Sequence, residues 1–138
     1  MNWELIATLV KHRSTVHVME FTEDGQSLVS CSDDRMACFW DTATWELRDT
    51  LVLPGTFVSS MTISPDSRTL VVCDLAGRIT LWDMETRREL MVLSQEGALV
   101  LKVKFVADGA KLFAWDGRNE FEIYETLDRA FALPDLDE

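Results

Sequence analysis

Short apolar stretches alternate with polar turn signals along almost the whole chain. Val16 to Phe21 is rich in β-branched and aromatic residues, and Thr22-Glu-Asp-Gly25 follows it as a turn. Ser27 to Ser32 reads as a second strand, Asp33-Asp34-Arg35 as a turn, and Met36 to Trp40 as a third strand. Asp41-Thr-Ala-Thr44 then turns into Trp45 to Val52. Further on, Ser64-Pro-Asp-Ser67 and Ala107-Asp-Gly109 stand between similar stretches. Asp-Gly and Pro-Asp accept the backbone angles of tight turns, so strand-length segments between them mark successive antiparallel hairpins. No stretch shows sustained helical periodicity. The pattern predicts an all-β protein.

The pattern also repeats. Trp40-Asp41 recurs as Trp82-Asp83, a step of 42, and the same step leads to Tyr124-Glu125. Phe21, Ile63 and Phe105 align without a gap, as do Asp24, Asp66 and Asp108, and Leu28, Leu70 and Leu112. Leu9, Leu51 and Leu93 form a further set, and so do Val16, Val58 and Val100. Periods of this length signal repeat architectures, in which each unit buries its apolar face only against its neighbour.

Phe39-Trp40-Asp41, Leu81-Trp82-Asp83, Ser64-Pro65-Asp66 and the 42-residue step together resemble the WD-repeat family of β-propellers. The resemblance covers about Trp3 to Leu133 and implies four-stranded antiparallel blades, three to this chain. The units run over roughly 3–44, 45–86 and 87–126, followed by a final outer strand at 127–133 and an acidic tail at 134–138. In such propellers the outermost strand precedes the other three of its repeat in sequence. Four segments fit that role here: Trp3–Val10, Trp45–Val52, Arg87–Ser94 and Arg129–Leu133.

The family resemblance also implies a hydrogen-bonded tetrad: a histidine before the innermost strand, a Ser or Thr in the second, an Asp in the next turn, and the Trp. His12, Ser30, Asp34 and Trp40 stand at these positions, although Lys11 replaces the usual preceding glycine. Repeat two keeps only Trp82, with Pro54, Val72 and Ala76 elsewhere, and repeat three has Glu96, Ala114, Arg118 and Tyr124. The first unit is therefore expected to be the best ordered.

Composition narrows the function classes. Thirteen Lys and Arg against 24 Asp and Glu give a net charge of −11, which opposes nucleic-acid binding, because that binding draws on phosphate neutralisation. The same charge keeps a chain soluble and favours basic partners. No apolar run approaches the ~20 residues of a membrane span. Cys31, Cys38 and Cys73 include no C-x-x-C, and only His12 and His17 could join them, so no zinc spacing of familiar type occurs. The cysteines read as small core residues in a reducing, cytoplasmic compartment. His17 reads as a packed or channel-lining residue.

Ser30, His12 and Asp34 together raise a hydrolase reading. The resemblance instead places Ser30 inside a strand, tied to an indole, and no G-x-S-x-G elbow is present. No glycine-rich phosphate loop appears either. The expectation is thus a non-enzyme without cofactor or metal, acting as a protein-interaction scaffold. The face implied for partners comprises Arg13, Arg35, Phe57, Leu99, Trp115 and Arg118, since Arg and aromatic residues favour binding anchors. Three blades cannot close a ring of the usual 4–8. Assembly of two copies into six blades is the preferred expectation, with Trp3–Val10 of one copy completing the third blade of the other. The alternatives are a C-terminal segment of a larger propeller with a structural role, or closure by a different protein.

Overall fold

The structure, a computed structural model, describes residues 1–55, 57–94, 100–106, 109–117 and 121–125. Its strands are β1 (Val16–Phe21), β2 (Ser27–Ser32), β3 (Met36–Asp41), β4 (Leu47–Val52), β5 (Val58–Ile63) and β6 (Thr69–Asp74). They continue with β7 (Arg78–Asp83), β8 (Glu89–Ser94), β9 (Lys102–Phe105), β10 (Lys111–Trp115) and β11 (Phe121–Glu125). These form three antiparallel meanders, β1-β2-β3-β4, β5-β6-β7-β8 and β9-β10-β11. Among the described residues there is no helix.

The sequence step of 42 is also the step of the register. Leu28 pairs with Trp40, Leu70 with Trp82, and Leu112 with Tyr124. The irregularities repeat as well: β1–β2 shifts register between Val16 and Val18, and β5–β6 between Val58 and Ser60. Bulges of this kind bend a strand and sharpen its twist. Turn geometry follows the same rule. Gly25, Ser67 and Gly109 occupy equivalent places at φ of 71°, 62° and 78°, so the serine carries a left-handed conformation that glycine adopts without strain. Thr22 and Ser64 each donate a hydroxyl hydrogen bond of 2.6 Å to the turn aspartate, Asp24 and Asp66.

The sheets stack face to face, with β5 packed between β1 and β9. One core lies between the first two sheets: Val29, Cys31, Ala37 and Phe39 meet Met61, Ile63, Leu70 and Trp82. A second joins Val71, Cys73, Ile79 and Leu81 to Val103, Leu112 and Ala114. Side chains alternate between the two faces of a strand, so a strand is buried throughout only where both faces are covered. β6, in the middle sheet, is buried at every position. Arg87 adds a bolt across the first junction, with its guanidinium 3.6 Å from the Phe39 ring centroid and its Nε donating to Asp49 at 3.2 Å.

Two sequence expectations shift. Trp45 and Arg87 do not open strands: both take left-handed φ (59° and 61°) and donate their N–H to Asp41 and Asp83 carbonyls, so the outer strands begin at Leu47 and Glu89. Trp3–Val10 is not a strand at all, and residues 1–15 carry none. A strand exists only as one rail of a ladder, and none of the described sheets pairs with this segment. Ala7 and Leu9 are half-buried there, and Leu9 packs with Trp45 and Leu47 on Leu28, Cys38 and Trp40. The expected final strand at 127–133 and the acidic tail at 134–138 lie outside the described residues.

Candidate functional site

The polar centre of the first sheet is built from four elements. The Trp40 indole on β3 donates to Ser30 Oγ on β2 at 3.0 Å. Ser30 Oγ lies 2.8 Å from His12 Nε2, and His12 Nδ1 lies 2.9 Å from Asp34 Oδ2. Each group finds one partner if Ser30 donates to Nε2 and Nδ1–H donates to the carboxylate, and these partners assign the tautomer. Asp34 further accepts from Arg13 N–H at 3.0 Å and Met36 N–H at 2.9 Å, so the carboxylate also clamps the β2–β3 turn to the segment before β1. Burial pushes the Asp34 carboxyl up, but the Arg13 N–H, the His12 ring and the Met36 N–H outweigh it and hold the group below its ordinary value.

The connectivity Ser–His–Asp matches that of a hydrolase triad, yet its setting does not serve nucleophilic attack. Ser30 is buried, and its oxygen already accepts the indole N–H. His12 and Asp34 side chains are only 7% and 9% exposed, which leaves no approach for a substrate. The arrangement closes a hydrogen-bond chain around a buried indole. His17 is more exposed than a packed reading implies, though not than a channel-lining one: its Nε2 lies 2.7 Å from Asp33, and its side chain is 44% exposed. The two adjacent aspartates thus each engage a histidine. Among the described residues no group of three or more His, Cys, Asp or Glu is arranged to hold a metal. Burial pushes the Cys31 and Cys73 thiols up to about 12 and Cys38 up to about 11, so none is a ready nucleophile at neutral pH.

The second sheet solves the same problem differently. Pro54, Val72 and Trp82 line a small cavity at the place of His12, Ser30 and Trp40, and Trp82 Nε1 is buried without an acceptor among the described residues. Its turn is nevertheless bonded. Asp74 Oδ1 accepts from Ala76 and Arg78 N–H at 2.9 and 3.0 Å, the two donors equivalent to Asp34 and Met36 N–H. In the first sheet these fall to Ser32 Oγ (3.1 Å) and Asp34 Oδ1 (2.9 Å). The carboxylate has moved two residues, from the place of Asp34 to that of Ser32. Gly55 permits the move: at φ 112°, a Cβ there would stand 2.6 Å from Asp74 Oδ2. Sequence reasoning missed Asp74, although the 42-residue alignment sets it opposite Ser32.

Of the residues expected on a partner face, four are described. Arg13 and Arg35 lie exposed beside one another in chain terms, since Arg13 N–H bonds the aspartate preceding Arg35. Phe57, 51% exposed, sits at the corresponding end of the second sheet, where its carbonyl accepts Leu75 N–H. Trp115 ends β10, opposite Lys102 and Phe121, on the flank of the third sheet. Leu99 and Arg118 lie outside the described residues.

The chain matches the family described as WD domain, G-beta repeat over residues 3–41 and 47–83, more than half its length. Among solved structures it is similar to one described as "Structure of U3-55K", with a TM-score of 0.71 and 18% identity over 86% of this chain. The match takes in 41% of that chain, so the present chain spans less than half of its length, and at this identity the likeness speaks for the fold alone. No curated protein matches.

Proposed function

The chain belongs to the WD-repeat family, whose repeats indicate a protein-interaction scaffold, and from that premise we propose a non-catalytic binding module in which three blades present surfaces to a protein or peptide partner. The observation that carries this reading is the pair of end faces that no described residue covers. Met19 and Phe21 on the first blade are 61% and 52% exposed, and Phe121 and Ile123 on the third are 57% and 58% exposed. At the inner junctions the equivalent positions are buried, apart from the partly buried Phe105, and clustered exposed apolar side chains of this size mark interaction sites. The loop ends bearing Arg13, Arg35 and Phe57 offer a further surface, while the net charge of −11 favours basic groups at the acidic remainder of the chain and disfavours nucleic acid and anionic membrane. Three buried, protonated thiols suit a cytoplasmic setting.

A second reading, a six-bladed ring of two copies, draws support from the N-terminal segment. Trp3, Leu5, Ile6 and Val10 are between 76% and 89% exposed and have the pattern of an outer strand in need of a blade. Light scattering across a dilution series decides between them. A stable species near twice 15.7 kDa establishes the ring of two copies, whereas a folded monomer retains the module that awaits another protein.

A further inference from the structure

Three of the four lysines of this acidic chain, Lys102, Lys104 and Lys111, fall in the third blade, and the strand register gathers them on one face. Phe113 pairs with Lys104 on one side and Ile123 on the other, and Trp115 pairs with Lys102 and Phe121. Directly opposed residues of antiparallel strands share a face. The outer face of the blade therefore carries two rows, Lys104–Phe113–Ile123 and Lys102–Trp115–Phe121, with Lys111 opposite Glu125 at its end. Val103, Leu112 and Ala114 alternate with these and are buried against the second blade.

This face departs from the two equivalent faces inside the molecule. There Ser60 Oγ accepts Val103 N–H at 3.1 Å and Thr62 Oγ1 accepts Phe105 N–H at 3.4 Å, while Glu20 accepts from Ile63 N–H. Each inner strand thus offers acceptors to the next blade. The third offers Lys102 and Lys104 at those positions, and an ammonium only donates. Bulk differs too: Phe113 and Trp115 replace the Val29/Val71 and Cys31/Cys73 positions, and extra volume in a close-packed layer forces neighbours apart. The first blade of a second copy, which would bring backbone N–H groups at Met19 and Phe21, meets neither the charge nor the shape of this face.

We propose that the outer face of the third blade docks an acidic, apolar-bearing segment of another protein, with carboxylates along Lys102 and Lys104 and apolar side chains on Trp115, Phe113, Phe121 and Ile123. The inference rests on the scaffold reading and names the chemistry of one partner. Complementary charge sets orientation and partner choice, while the aromatic floor supplies the contact. Lys104 also feels Glu20 across the inner strands, so Lys102 is the less committed of the two charges. Protein is favoured over a nucleic-acid strand because the face sets only three lysines beside four apolar side chains, too few cations to neutralise a phosphate backbone.

The test uses the whole chain and a fluorescein-labelled short peptide alternating Glu and Leu, with its Lys–Leu twin and a labelled oligouridylate beside it, read by fluorescence anisotropy. The expected result is saturable binding of the Glu–Leu peptide alone. Binding weakens by about tenfold or more in K102E/K104E and in F121A/I123A, both folded by circular dichroism, and falls with added salt. Failure of the Glu–Leu peptide to bind, equal binding by its Lys twin, preferential binding of the oligouridylate, or binding unaltered by either variant each overturns the proposal. So does self-association that K102E/K104E abolishes, since it makes a second copy the occupant. A stable ring of two copies in the dilution series likewise overturns it, because the second copy then covers this face; the scaffold reading fails separately, by an ester hydrolysis that Ser30→Ala abolishes.

Discussion

In the first blade Trp40 gives its N–H to Ser30, and the chain closes through His12 to Asp34; in the second, Trp82 has no acceptor among the described residues and apolar groups stand where Ser30 and His12 would be. Both blades nonetheless keep the same strand lengths, register and turns. The apolar frame therefore specifies the blade, and the polar chain is a local device for satisfying groups that the frame has buried. The tight turn is held in both, because its two N–H groups are bonded in each: by the Ser32 hydroxyl and the Asp34 carboxylate in the first, and by the Asp74 carboxylate alone in the second.

The largest effect expected from breaking this comparison is Asp34→Ala. It leaves Arg13 N–H, Met36 N–H and the His12 ring without their acceptor, at a cost of about 3 kcal/mol in urea unfolding. The second blade already carries Ala76 at that place. The same variant has a pH signature. The folded Asp34 carboxyl lies below its ordinary 3.8, so its contribution is present above that value and fades as pH falls beneath it. The stability gap between wild type and variant should narrow in that acid range.

Next in size is Gly55→Ala, which tests the relocated carboxylate. A methyl group at φ 112° and 2.6 Å from Asp74 Oδ2 forces either the backbone or the turn to move, for a loss of about 2 kcal/mol by the same assay. Trp→Phe in the two blades then separates the indoles. Trp40→Phe removes a donor that Ser30 uses and should cost about 1.5 kcal/mol, whereas Trp82→Phe removes a buried N–H that has no acceptor among the described residues and should cost under about 0.5 kcal/mol. Equal costs would show that the two indoles are equally well satisfied. Val72→Ser, the smallest change, offers Trp82 the hydroxyl that Trp40 has. A gain of up to about 1 kcal/mol in chemical denaturation is expected, offset in part by the lost methyl groups.

Much of this was legible along the chain because repeats report themselves. The 42-residue step located Val16–Phe21, Ser27–Ser32 and their copies within two residues of the observed strands. His12, Ser30, Asp34 and Trp40 stood out because the family pattern names residue types at those places. Other features carried no local signal. Trp45 and Arg87 looked like strand residues, but their left-handed backbone is set by bonds to Asp41 and Asp83. Trp3–Val10 has a strand pattern without a ladder. The clamp at Asp74 needs Gly55, nineteen positions earlier, and such a pair is visible only when the two backbones meet.

By itself, then, the sequence determined which residues form strands and turns, how they repeat, and which side chains of each strand belong together. Alternation and turn chemistry act over a few residues, and a fixed period copies them down the chain. Tertiary structure alone decided which faces are covered. Val71 and Phe113 occupy equivalent places in their repeats, yet Val71 is fully buried and Phe113 is not, because a third blade packs over one and no described element packs over the other. Burial, the partners of buried polar groups, and the lysine-bearing outer face all follow from that stacking, which no local window of sequence contains.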